Sequence, residues 1–248
     1  MKSKTNLLTW ALAFVLICLP LATFTSCGDD NQSMNLTLNA GETHDIGNGS
    51  DWKSANPFVA SVSGSTIEAN CVGNTTVSSG SSNIKVTVKA THFDFNDPCL
   101  QWGASKSSVK SYMSKYNLLD EESTSLGYDG SGKTYMYNYL FENGKLNASS
   151  ILVKSYYSSD IAAYLKERYY PIHVSEDDVI YMIDAKQETF ALVSVYTSGY
   201  SVYVMVIYGH YTGEKVYEAP KMNKFIKRNS SEEKAAFNSL KEVLAPNM

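Results

Sequence analysis

The hydrophobic pattern of this chain changes character twice. A continuous apolar run covers 7–21. From 34 to about 90, apolar residues alternate with Ser, Thr, Gly and Asn over short stretches: Leu36 and Leu38, then 58–62, 66–69 and 75–77, and finally Ile84, Val86 and Val88. Successive side chains of a strand point to opposite faces, so each stretch predicts a strand with one buried face. Gly41, Asn56-Pro57, Gly64 and Gly73 punctuate the series. Short strands with regular turn signals predict a small β-sandwich. A core of this size is marginal alone, so the unit is expected to pack on its neighbour.

From 96 onward the period lengthens. Val109, Tyr112, Met113 and Tyr116 form an i, i+3, i+4, i+7 stripe behind Ser105, a suitable N-cap. A loop is expected over 117–124. A hairpin follows, with strands at 135–141 and 146–153 around Glu142-Asn143-Gly144, since Asn-Gly favours the tight turn of a hairpin. The pattern then repeats. Ser158 or Ser159 caps a helix carrying Ile161, Tyr164, Leu165 and Tyr169, and strands are expected at 179–183, 190–196 and 202–208. Tyr112-Met113 aligns with Tyr164-Leu165 at an offset of 52, and Gly144 with Gly199 at 55. Ser230 and Glu233 form a capping box for a last helix bearing Phe237, Leu240 and Leu244. The expected fold class is therefore mainly β plus α+β. A small β-sandwich (34–90) precedes an α+β domain (96–248) of two helix-plus-antiparallel-sheet repeats, about 105–155 and 158–211, and a C-terminal helix at about 231–244.

The first segment reads as an address. Lys2 and Lys4 precede the 7–21 run, and the small residues Thr25 and Ser26 lead to Cys27. Fifteen apolar residues are too few to span a bilayer as a helix, which needs about 20, and Pro20 would disturb a continuing helix. A cleaved secretion signal accounts for both. The segment resembles the lipobox of bacterial lipoproteins. That pattern has Leu three residues before the cysteine and Gly or Ala just before it, where this chain has Phe24 and Ser26. A Ser-Cys junction is familiar in lipoproteins of the Bacteroides group. The resemblance implies a signal peptide at 1–26, lipidation of Cys27 and a tether at 27–33. Asp29 and Asp30 resemble the export tag that sends such lipoproteins to the outer face of the outer membrane. Their polar surroundings equally suit a plain solvated tether, which leaves the periplasmic face open.

Charge and cysteine content narrow the classes. The chain has 21 Lys and Arg against 25 Asp and Glu. Loss of Lys2 and Lys4 with the signal leaves 19 against 25, a net charge near −6. No basic face suggests a nucleic-acid partner. Cys71 and Cys99 either pair in an oxidising compartment or stay as two separately buried thiols.

Trp52-Lys53-Ser54-Ala55-Asn56-Pro57, then Val59-Ala60-Ser61-Val62, Ile67-Glu68-Ala69, Gly73 and Val86-Thr87-Val88 together resemble the group 2 bacterial immunoglobulin-like domain. That resemblance implies a spacer or adhesive module in a surface protein. Trp52 then serves as a core plug or as a ligand platform. Trp102-Gly103, Ser105, Val109 and the hairpin ending in Asn143-Gly144-Lys145-Leu146 resemble the small helix-and-sheet domains of outer-membrane assembly lipoproteins. The tandem arrangement is similar to β-lactamase inhibitor proteins. Both families bind proteins, and no site residues carry over.

Candidate chemistry is sparse. Gly127-Tyr128-Asp129-Gly130-Ser131-Gly132-Lys133-Thr134 matches the phosphate-loop pattern. That loop needs an apolar strand before it and a helix after it, so that backbone N–H groups converge on phosphate. Here 135–139 is β-rich, so a flexible turn and no nucleotide are expected. His44, His92, His173 and His210 show no metal-ligand spacing, and no Gly-x-Ser-x-Gly elbow occurs. Asp177-Asp178 and Glu232-Glu233 read as loop and helix-start charges. No catalytic residue, metal ligand or cofactor is therefore expected. All 18 tyrosines fall between Tyr112 and Tyr217. Tyr135, Tyr137 and Tyr139 share one face of a strand, with Met136 and Leu140 on the other. If the Met136 face is core, the three rings form an exposed ladder for a sugar or a protein partner. If the tyrosines pack under the helix, they are core. The functional expectation is a lipid-anchored cell-envelope protein that binds a protein or glycan partner without chemistry. The alternatives are a periplasmic assembly or inhibitor protein, and a glycan-processing hydrolase with a carboxylate pair assembled in space.

Overall fold

The computed structural model describes residues 33–47, 51–213, 231–246 and 248. The expected signal at 1–26, Cys27 and Ser230 lie outside the described residues. The fold is mainly β. No helix among the described residues is long and apolar enough to cross a membrane.

The N-terminal part contains β1 (Ser33–Asn39), β2 (Thr43–Asp45), β3 (Lys53–Ser54), β4 (Ala60–Ser63), β5 (Thr66–Ala69), β6 (Gly73–Ser79) and β7 (Ser82–Lys89). They form a four-stranded sheet, β1-β7-β6-β3, and a three-stranded sheet, β2-β5-β4. Alternation does what the sequence predicts: Ile84, Val86 and Val88 are all buried, while Lys85 and Lys89 are exposed. They share a core with Leu36, Leu38, Ile67, Ala69 and Val77, and Trp52 is partly buried against it. Each such aliphatic side chain contributes about 1.5–3 kcal/mol when taken out of water. β1 runs parallel to β7, so Ser33 lies beside Asn83. That end of the sheet is away from Lys89, where the chain crosses to the second part.

The second part runs α1 (Lys106–Tyr112), β8 (Leu118–Glu121), β9 (Ser125–Asp129), β10 (Thr134–Glu142) and β11 (Lys145–Lys154). A 3-10 turn, Ser155–Tyr157, leads into α2 (Ser158–Lys166), β12 (Tyr169–Val174), β13 (Ile180–Asp184), β14 (Thr189–Ser198) and β15 (Ser201–His210), with α3 (Ser231–Leu244) last. The strands form one eight-stranded antiparallel sheet, β12-β13-β14-β15-β11-β10-β9-β8. Each half is a helix followed by four strands. The last strands of the halves, β11 and β15, pair at the centre through Ile151↔Val206 and Val153↔Val204. The first strands, β8 and β12, are the edges. The three α-helices among the described residues pack on one face, where Val109, Met113, Ile161, Leu165, Phe237 and Leu240 meet Tyr139, Ile151, Val193 and Val206.

Local signals explain several boundaries. The Ser105 hydroxyl accepts from the Ser108 N–H and caps α1 as expected. Asn143 and Gly144 take φ of 51° and 72°, the left-handed pair that a two-residue hairpin turn requires. Three expectations need correction. The predicted loop at 117–124 contains β8, an edge strand with all four residues exposed, so it carries no alternation to read. The predicted flexible turn at 127–134 begins as β9, with Leu126 and Tyr128 buried. Neither Ser158 nor Ser159 caps α2. Tyr157 occupies the cap position without a side-chain hydrogen bond, because the 3-10 turn runs straight into the helix.

The described residues from 33 to 248 belong to one compact unit. At the junction between its two parts, Asn56 Nδ2 donates to the Ala185 carbonyl at 2.8 Å. Ala185 enters the N-terminal core, and the Phe58 and Tyr170 rings meet edge-on at 5.4 Å. The Val72 N–H donates to the Glu167 carbonyl at 2.7 Å. The Glu167 carboxylate, 6% exposed, accepts from the backbone N–H of Thr91 and of His92 at 3.0 Å, from the Thr91 hydroxyl, and from His92 Nδ1 at 2.8 Å. Burial pushes its pKa up, but the hydrogen bonds from Thr91 and His92 outweigh burial and hold it below the usual carboxylate value. A lowered pKa stabilises the fold above the ordinary value of 4.5, and that stabilisation is lost as pH falls through the folded value. Glu167→Gln is expected to cost about 2 kcal/mol near neutral pH. Urea midpoints for the variant should then change less with acidification below pH 4.5 than those of the parent.

Candidate functional site

The sheet has a second face, opposite the helices. Pairing registers place Met136, Asn138 and Leu140 of β10 beside Leu152, Ser150 and Ala148 of β11, and Lys154 falls on the same face of β11. Next come Tyr203, Met205 and Ile207 of β15, and Phe190, Leu192, Ser194 and Tyr196 of β14. Tyr181 and Ile183 of β13 complete the row. Toward β12 this face carries an apolar cluster. Val179, Leu192 and Ile207 form its centre, and Ile172, Phe190, Met205 and Tyr211 are partly buried around them. Gly209 belongs to the same surface because the Phe190 ring lies across it. A Cβ there would sit 2.2 Å from the ring's Cζ.

The tyrosine ladder is not formed. Tyr137 and Tyr139 are 1% and 0% exposed and face the helices, so they are core. The Tyr139 hydroxyl donates to Met113 Sδ at 2.9 Å and accepts from the Cys99 N–H at 3.2 Å. Burial pushes the Tyr137 phenol up to about 12. Only Tyr135 stands out, 46% exposed. The β10–β11 register slips between Thr134 and Met136, so Tyr135 is the extra residue of a β-bulge. A bulge re-aims a side chain, and this one breaks the alternation on which a three-ring ladder depends.

Tyr135 joins a different group. Its ring lies 5.0 Å from that of Tyr203, tilted by 42°. Lys154 Nζ sits 4.6 Å from the Tyr135 centroid and 4.4 Å from that of Tyr203. It donates to the Tyr203 hydroxyl at 2.8 Å and reaches Ser201 Oγ at 3.5 Å. This bond raises the lysine's pKa and lowers the phenol's. Tyr196 pairs with Tyr203 across β14 and β15. The exposed rings of Tyr156 and Tyr200 stand in the adjoining turns. The group lies at the end of the sheet opposite the 184–188 turn, which meets the N-terminal strands.

The other sequence candidates serve structure. Gly127–Thr134 joins two strands, and β10 rather than a helix follows it. Its Lys133 pairs with Asp160 at 2.9 Å and Asp94 at 3.3 Å. Cys71 and Cys99 are separate buried thiols, Cys71 pushed up to about 12 by burial. Trp52 packs on the N-terminal core. His44 is on β2, His92 binds Glu167, His173 lies 5.5 Å from the Tyr181 ring and His210 ends β15. Among the described residues no group of three His, Cys, Asp or Glu side chains is arranged to hold a metal ion. Asp177 and Asp178 lie between β12 and β13, and Glu232 and Glu233 in the first turn of α3. A recess of about 220 Å³ beside α1 is lined by Asp97, Tyr112, Tyr116 and Tyr137. Asp97 is there engaged by the Tyr164 hydroxyl at 2.5 Å.

No family model, no curated protein and no solved structure matches the chain. Sequence reasoning missed Lys154, Tyr196 and Tyr203. The available signal was parity: Leu152 and Lys154, like Met205 and Tyr203, alternate with the most apolar positions of their strands.

Proposed function

We propose that this chain is a lipid-anchored cell-envelope protein whose eight-stranded sheet binds a protein partner on its helix-free face, without chemistry. The observation that carries the reading is the cluster of Ile172, Phe190, Leu192, Met205 and Ile207 on that face. Leu192 and Ile207 are its buried centre, and Ile172, Phe190 and Met205 around them stay partly exposed, a contiguous apolar surface of the kind that marks protein contact sites. The centre of the cluster is aliphatic, Val179, Leu192 and Ile207, rather than a row of coplanar rings on which a sugar could stack. The tyrosines beside them do not make a sugar platform either, since Tyr203 is only 6% exposed and tilted against Tyr135.

The finer fold reading belongs to the same proposal. The N-terminal pair of sheets acts as the immunoglobulin-like spacer, and the two helix-plus-four-strand halves as tandem repeats of the inhibitor type. A non-catalytic role is supported by carboxylates committed to structure. Glu167 holds the 91–92 backbone, Asp184 accepts from the Glu188 and Thr189 N–H groups, and Asp94 and Asp160 share Lys133.

Site-specific photo-crosslinking in intact cells tests this. A crosslinker at Leu140 or Met205 should capture a protein partner, and one at the exposed Lys234 of α3 should not. Equal capture from all three positions, or none from the sheet, rejects the reading.

A further inference from the structure

Lys154 differs from the chain's other well-placed lysines. Lys106 and Lys110 meet Glu121, and Lys133 meets Asp94 and Asp160. No carboxylate among the described residues comes within 4 Å of the Lys154 ammonium. Its neighbours are Tyr203, Ser201 and the Tyr135 ring. A partly buried cation in a chain with a net charge of -4 is left to tyrosine faces and hydroxyls, which solvate it but do not neutralise it.

We propose that Lys154, bracketed by Tyr135 and Tyr203, receives a carboxylate from an acidic segment of the partner protein. This rests on the sheet-face reading above and adds the chemistry of the partner. The geometry suits an incoming anion. Two of the three ammonium N–H groups point to Tyr203 and Ser201, which leaves the third for a ligand. The Tyr203 oxygen accepts from Lys154 and keeps its own hydrogen to donate. One carboxylate can thus take two hydrogen bonds from one spot, both strengthened by charge. The flanking rings already hold the lysine, so little side-chain entropy remains to be lost on binding. Leu152 and Met205 lie next along the same face, one strand repeat away. The favoured ligand therefore presents an acidic residue beside apolar ones, as a protein segment does. An acidic polysaccharide offers carboxylates without apolar side chains.

The test uses the full chain and a phage-displayed random peptide library. Peptides that photo-crosslink at Leu140 or Met205 are sequenced, and their Kd values are measured on the parent, Lys154→Met and Lys154→Arg, each checked for an unchanged melting curve. Polygalacturonate is titrated in parallel. An acidic residue at a fixed position, binding about tenfold to a hundredfold weaker to Lys154→Met, and recovery in Lys154→Arg support the proposal. Sheet-bound peptides without acidic residues, or binding indifferent to Lys154→Met, overturn it while leaving the sheet-face reading intact. No peptide crosslinked to the sheet overturns both. Polygalacturonate binding that needs Lys154, with no such peptide, replaces the protein segment by an acidic glycan and overturns the assignment.

Discussion

A Cys27→Ser chain is expected to leave the membrane pellet almost completely and to appear in the soluble fraction. Serine offers an oxygen where lipoprotein processing requires a thiol, so no thioether-linked lipid can form. Each acyl methylene buried in the bilayer contributes about 0.8 kcal/mol, and two or more chains make attachment stable where one alone is marginal. Removal of the attachment point is therefore a nearly all-or-none change. Fractionation combined with mass spectrometry of the N-terminus checks it. A variant that pellets like the parent, or a parent with an unmodified N-terminus, ends the anchor proposal.

The largest expected effect on stability is at Gly130. A Cβ there would lie 2.0 Å from the Thr134 carbonyl oxygen and 2.6 Å from the Tyr135 carbonyl carbon. Those are backbone atoms, fixed by the Gly130 N–H bond to the Tyr135 carbonyl at 3.0 Å and by the start of β10. Rotamer changes cannot relieve the clash, so the β9–β10 connection must move. Gly130→Ala should cost about 3 kcal/mol or more. Gly132, two residues on, has φ of 59°, and a Cβ there would find only the Asp94 carbonyl oxygen at 3.7 Å. Gly132→Ala should cost about 1 kcal/mol, the ordinary penalty of a left-handed residue. Urea titration of both variants separates the two mechanisms, and equal midpoints would contradict the turn described here.

What could be read in advance follows from where each signal resides. The N-terminal strands were legible because Ile84, Val86 and Val88 alternate with polar residues, a pattern fixed by one buried face. The β10–β11 hairpin was legible because Asn143-Gly144 encodes its turn locally. The edge strands were not. β8 buries none of its residues, and β12 carries Pro171, which withholds an N–H and interrupts the strand signal. The tyrosine question turned on the bulge at Tyr135, which depends on the partner strand. Tyr135, Tyr137 and Tyr139 look equivalent in sequence, yet one is exposed and two are core. The Lys154–Tyr203 contact joins residues 49 apart through the central pairing of the two halves. No local pattern announces such a meeting.

Because β1 parallels β7, Ser33 begins at the end of its sheet remote from the crossing at Thr91. The Lys154 group sits at the far end of β14 and β15 from that crossing. Held by a lipid at Cys27, such a chain would be attached through the part of the fold that precedes the crossing and would offer the lysine group from the part that follows it.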